Sequence, residues 1–115
     1  MAAKKPLSPE FIEHIARRFR TLGDTTRLTL IQSLMGGPKA VGDIVAATGK
    51  TQANVSKHLA LLADEGIVSR QRDGNHIIYE VADPVVFQLC DLVCGSVRNR
   101  LTREVKENER LLRSK

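Results

Sequence analysis

The chain has 115 residues, 42% of them hydrophobic but only 3% aromatic, and carries a formal charge of +5 with a pI near 9.6. That is enough for one domain around an aliphatic core and too apolar for general disorder. No apolar run nears the roughly 18–20 residues of a membrane helix, and the opening MAAKKPLSPEF lacks the apolar stretch of a secretory signal, so a cytoplasmic protein with no membrane association is expected.

The predicted elements follow in chain order. Residues 1–8 read as a flexible N-terminal tail, and 9–115 as the folded domain. Ser8 is placed to cap a first helix that has Pro9 in its first turn and stops at Gly23, with Ile12, Ile15, Phe19 and Leu22 along one face. Asp24 can cap a second helix, whose Leu28, Ile31, Leu34 and Met35 are expected to face inward. Gly36-Gly37-Pro38 breaks the chain. A short third helix is predicted over about 41–47, with Ile44 and Val45 inward and Gly49 closing it. The fourth begins at Thr51 or Gln52 and ends near Glu65-Gly66, with Val55, Leu59 and Leu62 on one side. Two strands, about 67–72 and 75–81, meet at an Asp73-Gly74 turn. Asp83-Pro84 then opens a long last helix that passes Leu101.

The third and fourth helices, joined by a short turn, form a helix-turn-helix, and the hairpin behind them adds a wing. The expected fold is therefore mainly α with a small β-hairpin, a winged helix-turn-helix of five helices plus a two-stranded wing. Such a unit places its second helix in the major groove of duplex DNA, with the ribbon against the neighbouring backbone or minor groove. Thr51 can cap that helix and offer its hydroxyl to a phosphate. Gln52 and Asn54 can read adenine edges, and Ser56 and Lys57 supply shorter-range or phosphate contacts. Arg70 and Arg72 are the basic residues of the wing, and Arg27 at the start of the second helix can meet a phosphate or stay a surface charge. His58, between apolar neighbours, is expected to make a structural hydrogen bond, and Tyr79 to be a core or hinge residue. From Pro38 to Asp83 five basic residues face six acidic ones, so a DNA-facing surface there must come from sorting the charges onto one side.

LGDTTRLTLIQSL, VGDIVAATGKTQANVSKHLALLADEGIVS and RDGNHIIYEV resemble the ArsR/SmtB family of bacterial winged-helix repressors, over about residues 10–100. The resemblance implies a homodimer that represses transcription from a palindromic operator and leaves it when an effector binds. It also implies metal sites, and here the sequence departs. Many members hold zinc between the last helices of the dimer through Asp-x-His and His-x-x-Glu. The comparable positions are Asp91-Leu92-Val93 and Glu104-Val105-Lys106-Glu107, without either histidine, so zinc is not expected there. The third helix has no Cys-x-Cys pair, and the second has no cysteine.

Cys90 and Cys94 remain, expected as reduced thiols in this compartment. Four residues apart on a helix, they lie one turn from each other on the same side. Buried cysteine packs as a small hydrophobe, so a core role is one reading. The other is a thiol-based effector site for a thiophilic metal or metalloid, or for an oxidant or reactive sulfur species. A disulfide between them is not expected, because Cβ atoms one helical turn apart exceed the roughly 3.5–4.5 Å that a disulfide wants. Ile12, Ile15 and Phe19 of the first helix and Leu89, Val93, Val97 and Leu101 of the last offer more apolar surface than the short central helices can cover, and are the expected dimer interface. His14 and His76 have no spaced partner. No nucleophile–base set, phosphate loop or paired carboxylate site is present in the sequence, so no enzyme is expected. Two rival readings stay open: a winged-helix protein-interaction module without DNA binding, and a DNA-binding protein whose cysteines are only core.

Overall fold

The computed structural model describes residues 5–114. Of the expected tail, residues 1–4 lie outside the described residues, and residues 5–7 form neither helix nor strand. Five helices and three strands follow: α1 (Pro9–Leu22), α2 (Thr25–Ser33), β1 (Lys39–Ala40), α3 (Val41–Thr48), α4 (Gln52–Asp64), β2 (Val68–Asp73), β3 (His76–Val81) and α5 (Val85–Arg113).

Local chemistry sets most of these boundaries. Ser8 Oγ accepts the N–H of Phe11 at 3.1 Å, the Asp24 carboxylate accepts that of Arg27 at 3.0 Å, and Thr51 Oγ1 accepts that of Asn54 at 3.2 Å. Each satisfies an amide that the first helical turn leaves unpaired. Gly49 ends α3 in the left-handed region, at φ 71, where a side chain would be strained, and its N–H returns to the carbonyl of Val45.

Internal contacts divide the chain into two units, one through Asp83 and one from Pro84 onward. The first is built on Leu30, Ile31, Leu34, Ile44, Val55, Leu59, Leu62, Ile67, Val68 and Tyr79, all buried. Two of the residues expected inward on α2 are not. Leu28 and Met35 are exposed, and Leu30 takes the inward place in α2. The helix stops at Ser33, so Met35 falls in a turn where helical spacing no longer applies. Leu28, at 100° per residue, lies well round the helix from the stripe of Leu30, Ile31 and Leu34.

The sheet has three strands in the order β1-β3-β2, all antiparallel, instead of two. Lys39 pairs with Tyr79 and Ala40 with Ile78, a two-residue strand too short to show any alternation in sequence. The hairpin loop is Gly74-Asn75, one residue later than expected, because Asp73 still pairs with His76. Gly74, at φ 63, takes the positive dihedral that a glycine-first two-residue turn requires.

In the second unit, α5 runs for 29 residues, roughly 43 Å at 1.5 Å per residue. Arg100 pairs with Glu104 at 3.0 Å and Arg110 with Glu107, exposed neighbour pairs that add little to stability. Among the described residues no helix is long and apolar enough to cross a membrane.

Candidate nucleic-acid interface

α4 has two sharply different sides. Val55, Leu59 and Leu62 are completely buried, which turns Gln52, Ser56 and Lys57 outward, with Thr51 exposed at the cap. Asn54 is half-buried. The Thr51 hydroxyl accepts from the helix and still has its own O–H to donate. The cap and first two turns of α4 therefore present two hydroxyls, two carboxamides and an ammonium within one short stretch. Carboxamides offer a donor and an acceptor side by side, the pattern that matches an adenine edge.

The wing carries charge of its own. Opposed residues in an antiparallel ladder share a face, so Val68, Arg70 and Arg72 lie on the same side of the sheet as Val81, Tyr79 and Ile77. On that side Val68 and Tyr79 are buried, while Arg70, opposite Tyr79, and Arg72, nearer the tip, are exposed. Lys39, paired with Tyr79 from β1, joins the same row. Tyr79 is thus a core residue.

Arg27, which the sequence offers as a phosphate contact or a surface charge, makes hydrogen bonds within the chain. It is half-buried, and its guanidinium is directed inward: Nε donates to the carbonyl of Thr21 at 2.6 Å and Nη2 to that of Arg20 at 3.4 Å. These carbonyls belong to the last turn of α1, where a cation also meets the negative end of the helix. Its Nη1 lies 3.2 Å from His58 Nδ1. A guanidinium only donates, so Nδ1 accepts and this bond assigns the imidazole proton to Nε2. His58 makes the structural bond expected of it, and Asp24 Oδ2 stands 3.9 Å from the same nitrogen. The amide of Arg27 bonding to the Asp24 carboxylate, helped by the charge of Arg27, holds that carboxyl below its ordinary 3.8.

Arg18 was not singled out from sequence. It donates to the carbonyl of Glu65 at 3.1 Å and pairs with Asp83 at 3.5 Å. The available signal was a basic residue spaced with Ile15 and Leu22, on the inward side of an amphipathic helix.

On α5, Cys90 is half-buried and Cys94 exposed, one turn apart on the same side. Burial, and secondarily the negative charge of Asp91, raise the Cys90 thiol above its ordinary 9.0. Among the described residues no three of His, Cys, Asp and Glu gather closely enough to hold a metal ion, so one copy of the chain offers a soft ion two sulfurs. Of the apolar residues expected at an interface, Ile12 and Phe19 on α1 are exposed, as are Val93, Val97 and Leu101 on α5, while Ile15 and Leu89 are half-buried.

Comparison with known proteins places this geometry. Residues 24–70 match the model of the bacterial regulatory protein, arsR family. The chain is 45% identical over 74 residues to a probable mercury resistance operon repressor of Streptomyces lividans, covering 64% of this chain and 59% of that protein. It is 34% identical over 86 residues to the transcriptional regulator NmtR of Mycobacterium tuberculosis, covering 75% of this chain and 72% of NmtR. Among solved structures, the antimony-specific transcriptional repressor AntR superposes with a TM-score of 0.78 at 28% identity, covering 89% of this chain and 93% of AntR. A homodimeric winged helix-turn-helix DNA-binding domain from Mycobacterium bovis gives 0.75 at 29% identity, covering 88% and 94%.

Proposed function

Because the chain belongs to the ArsR family of bacterial regulatory proteins, we propose that it is a cytoplasmic transcriptional repressor that binds a palindromic DNA operator as a homodimer and is released by an effector. The observation that carries this is the exposed polar face of α4, from Thr51 to Lys57, in the same unit as a wing that carries the exposed Arg70 and Arg72. Gln52 and Asn54 read base edges. Thr51, Ser56, Lys57, Arg70 and Arg72 hold the backbone, whose contacts set affinity and salt dependence without carrying sequence. Arg27 serves the site indirectly, by bracing α4 through His58. The copies join through α1 and α5, each of which leaves apolar residues exposed, and present two α4 helices to half-sites about 34 Å apart, one turn of DNA.

The effector is read as a soft metal or metalloid, or an oxidant, taken by Cys90 and Cys94. Thiolates select soft ions, and two similar proteins are named for mercury and for antimony. Such an ion displaces thiol protons. With the Cys90 thiol raised above its ordinary value, binding strengthens as pH rises toward that value. A ligand releases DNA only if it prefers the released packing of the dimer.

Selection from a random duplex library, followed by affinity against salt, tests the reading. Gln52→Ala is expected to lose about 1–3 kcal/mol of discrimination at one base position. Arg72→Ala is expected to weaken all duplexes alike and reduce the salt slope by about 1. If both variants keep wild-type affinity and slope, the contact surface lies elsewhere. Operator affinity of the wild type and of Cys90→Ser/Cys94→Ser, with and without arsenite, antimonite, mercuric ion and peroxide, tests the effector. An unresponsive wild type removes the thiol reading and leaves the cysteines as core.

A further inference from the structure

Arg18 reaches from α1 to two places far apart in the chain. Its Nη2 donates to the carbonyl of Glu65 at 3.1 Å, and its Nη1 lies 3.5 Å from Oδ2 of Asp83. Glu65 is the C-cap of α4, so its carbonyl belongs to the set that the last helical turn leaves unpaired, and a cation there also suits the helix dipole. Asp83 stands just past the end of β3. Between these two residues lies the whole wing hairpin, closed at its base by the Ala82 N–H donating to the carbonyl of Ile67 at 2.9 Å. One guanidinium thus joins the end of α4 to the segment that leaves the wing after β3.

Close packing contributes little to this joint. Leu22 is the one residue of α1 that is buried. A shallow open cleft runs between α1 and α4, and Leu61 is the one aliphatic residue among its lining, which includes Arg17, Arg20, Arg27, Asp64 and Glu65. The Arg18–Asp83 pair is itself partly open to water, with 39% and 40% of the two side chains exposed, so it adds little stability. Its bonds instead fix a direction, because a planar fork accepts partners only along set lines.

We propose that Arg18 is a positioning residue for operator recognition: it carries the orientation of α1 to α4 and the wing, and so sets the half-site spacing that the dimer accepts. This rests on the repressor reading above. Two reading helices held rigidly see the second half-site at high effective concentration at one spacing only. A looser joint lowers that peak and broadens it.

The test uses the full chain and the operator that the wild type selects from a random duplex library. Three kinds of duplex are compared: the selected one, versions with half-site centres moved by one or two base pairs, and one with a single half-site. Affinities of wild type, Arg18→Gln and Arg18→Lys are measured alongside their unfolding and sedimentation. Arg18→Gln is expected to stay folded and dimeric, to hold a single half-site within about twofold of wild type, and to lose about tenfold on the selected spacing. Its preference for that spacing over the shifted duplexes should largely vanish. Arg18→Lys, which keeps the charge but not the fork, should recover part of the profile. The proposal is overturned if Arg18→Gln keeps the wild-type spacing profile, or if it loses half-site affinity or the dimer, which would mark a general structural role. A wild type that selects no duplex at all sinks the repressor reading and this proposal with it. A sharp wild-type spacing preference that Arg18→Gln leaves intact removes only the proposal.

Discussion

α4 and α1 are helices of nearly equal length, 13 and 14 residues, each capped by a hydroxyl, yet their apolar residues meet opposite fates. Val55, Leu59 and Leu62 of α4 are wholly buried, while Phe11, Ile12 and Phe19 of α1 are each about half exposed and only Leu22 is buried. An apolar stripe is a demand for burial, and nothing in the stripe says who supplies the partner. α4 meets that demand within its own unit, which frees its other face for polar contact. α1 leaves much of it unmet within one copy, as expected of a helix that joins two copies. Where α1 does touch its own unit, arginines and backbone carbonyls do much of the holding.

The contrast can be broken at its strongest point first. Leu59→Ala is expected to cost about 2–5 kcal/mol in denaturant unfolding, the range for an emptied aliphatic core site. Phe19→Ala, at concentrations where the chain is monomeric, should stay within about 0.5 kcal/mol of wild type while weakening self-association in sedimentation. If both substitutions destabilise the monomer equally, the face of α1 is ordinary core and the distinction fails.

Caps sharpen the comparison at smaller scale. Thr51→Ala should lower stability by about 1 kcal/mol, because α4 is clamped by its buried side and cannot relax away from the lost bond. Ser8→Ala should cost only a few tenths, about 0.3 kcal/mol, since the exposed first turn of α1 can fray without opening a core. Equal effects in thermal unfolding would show the two helices to be equally anchored.

The smallest expected effect is electrostatic, at the corner where the two helices communicate. The Asp24 carboxyl is held below its ordinary 3.8, chiefly by the amide of Arg27, so its charged form favours the folded chain at neutral pH. That contribution is present above the unfolded value of about 3.9 and is lost as pH falls through the lower folded value. Asp24→Asn keeps the cap and removes the charge. The stability gap between it and wild type should therefore be visible at neutral pH and close in acid. A gap that widened on acidification would contradict the assigned shift.

By itself the sequence determined what depends on neighbours three or four residues away. Ser8, Asp24 and Thr51 mark helix starts because each side chain bonds an amide on its own first turn, and Gly49 marks a helix end because its own φ is positive. The buried stripe of α4 was legible for the same reason: thirteen residues of regular helix fix which side chains share a face. Tertiary structure alone decided the rest. β1 is two residues long and exists only because β3 lies beside it. Leu30 displaced Leu28 because helix packing, and not apolar character, chose the inward side of α2. Arg27 bonds carbonyls of α1 and the imidazole of α4 because the fold gathers them around it, and Arg18 meets Glu65 and Asp83 from 47 and 65 residues away. A guanidinium has several donors and a long flexible stem, so its sequence neighbours leave its partners open until the chain has folded around it.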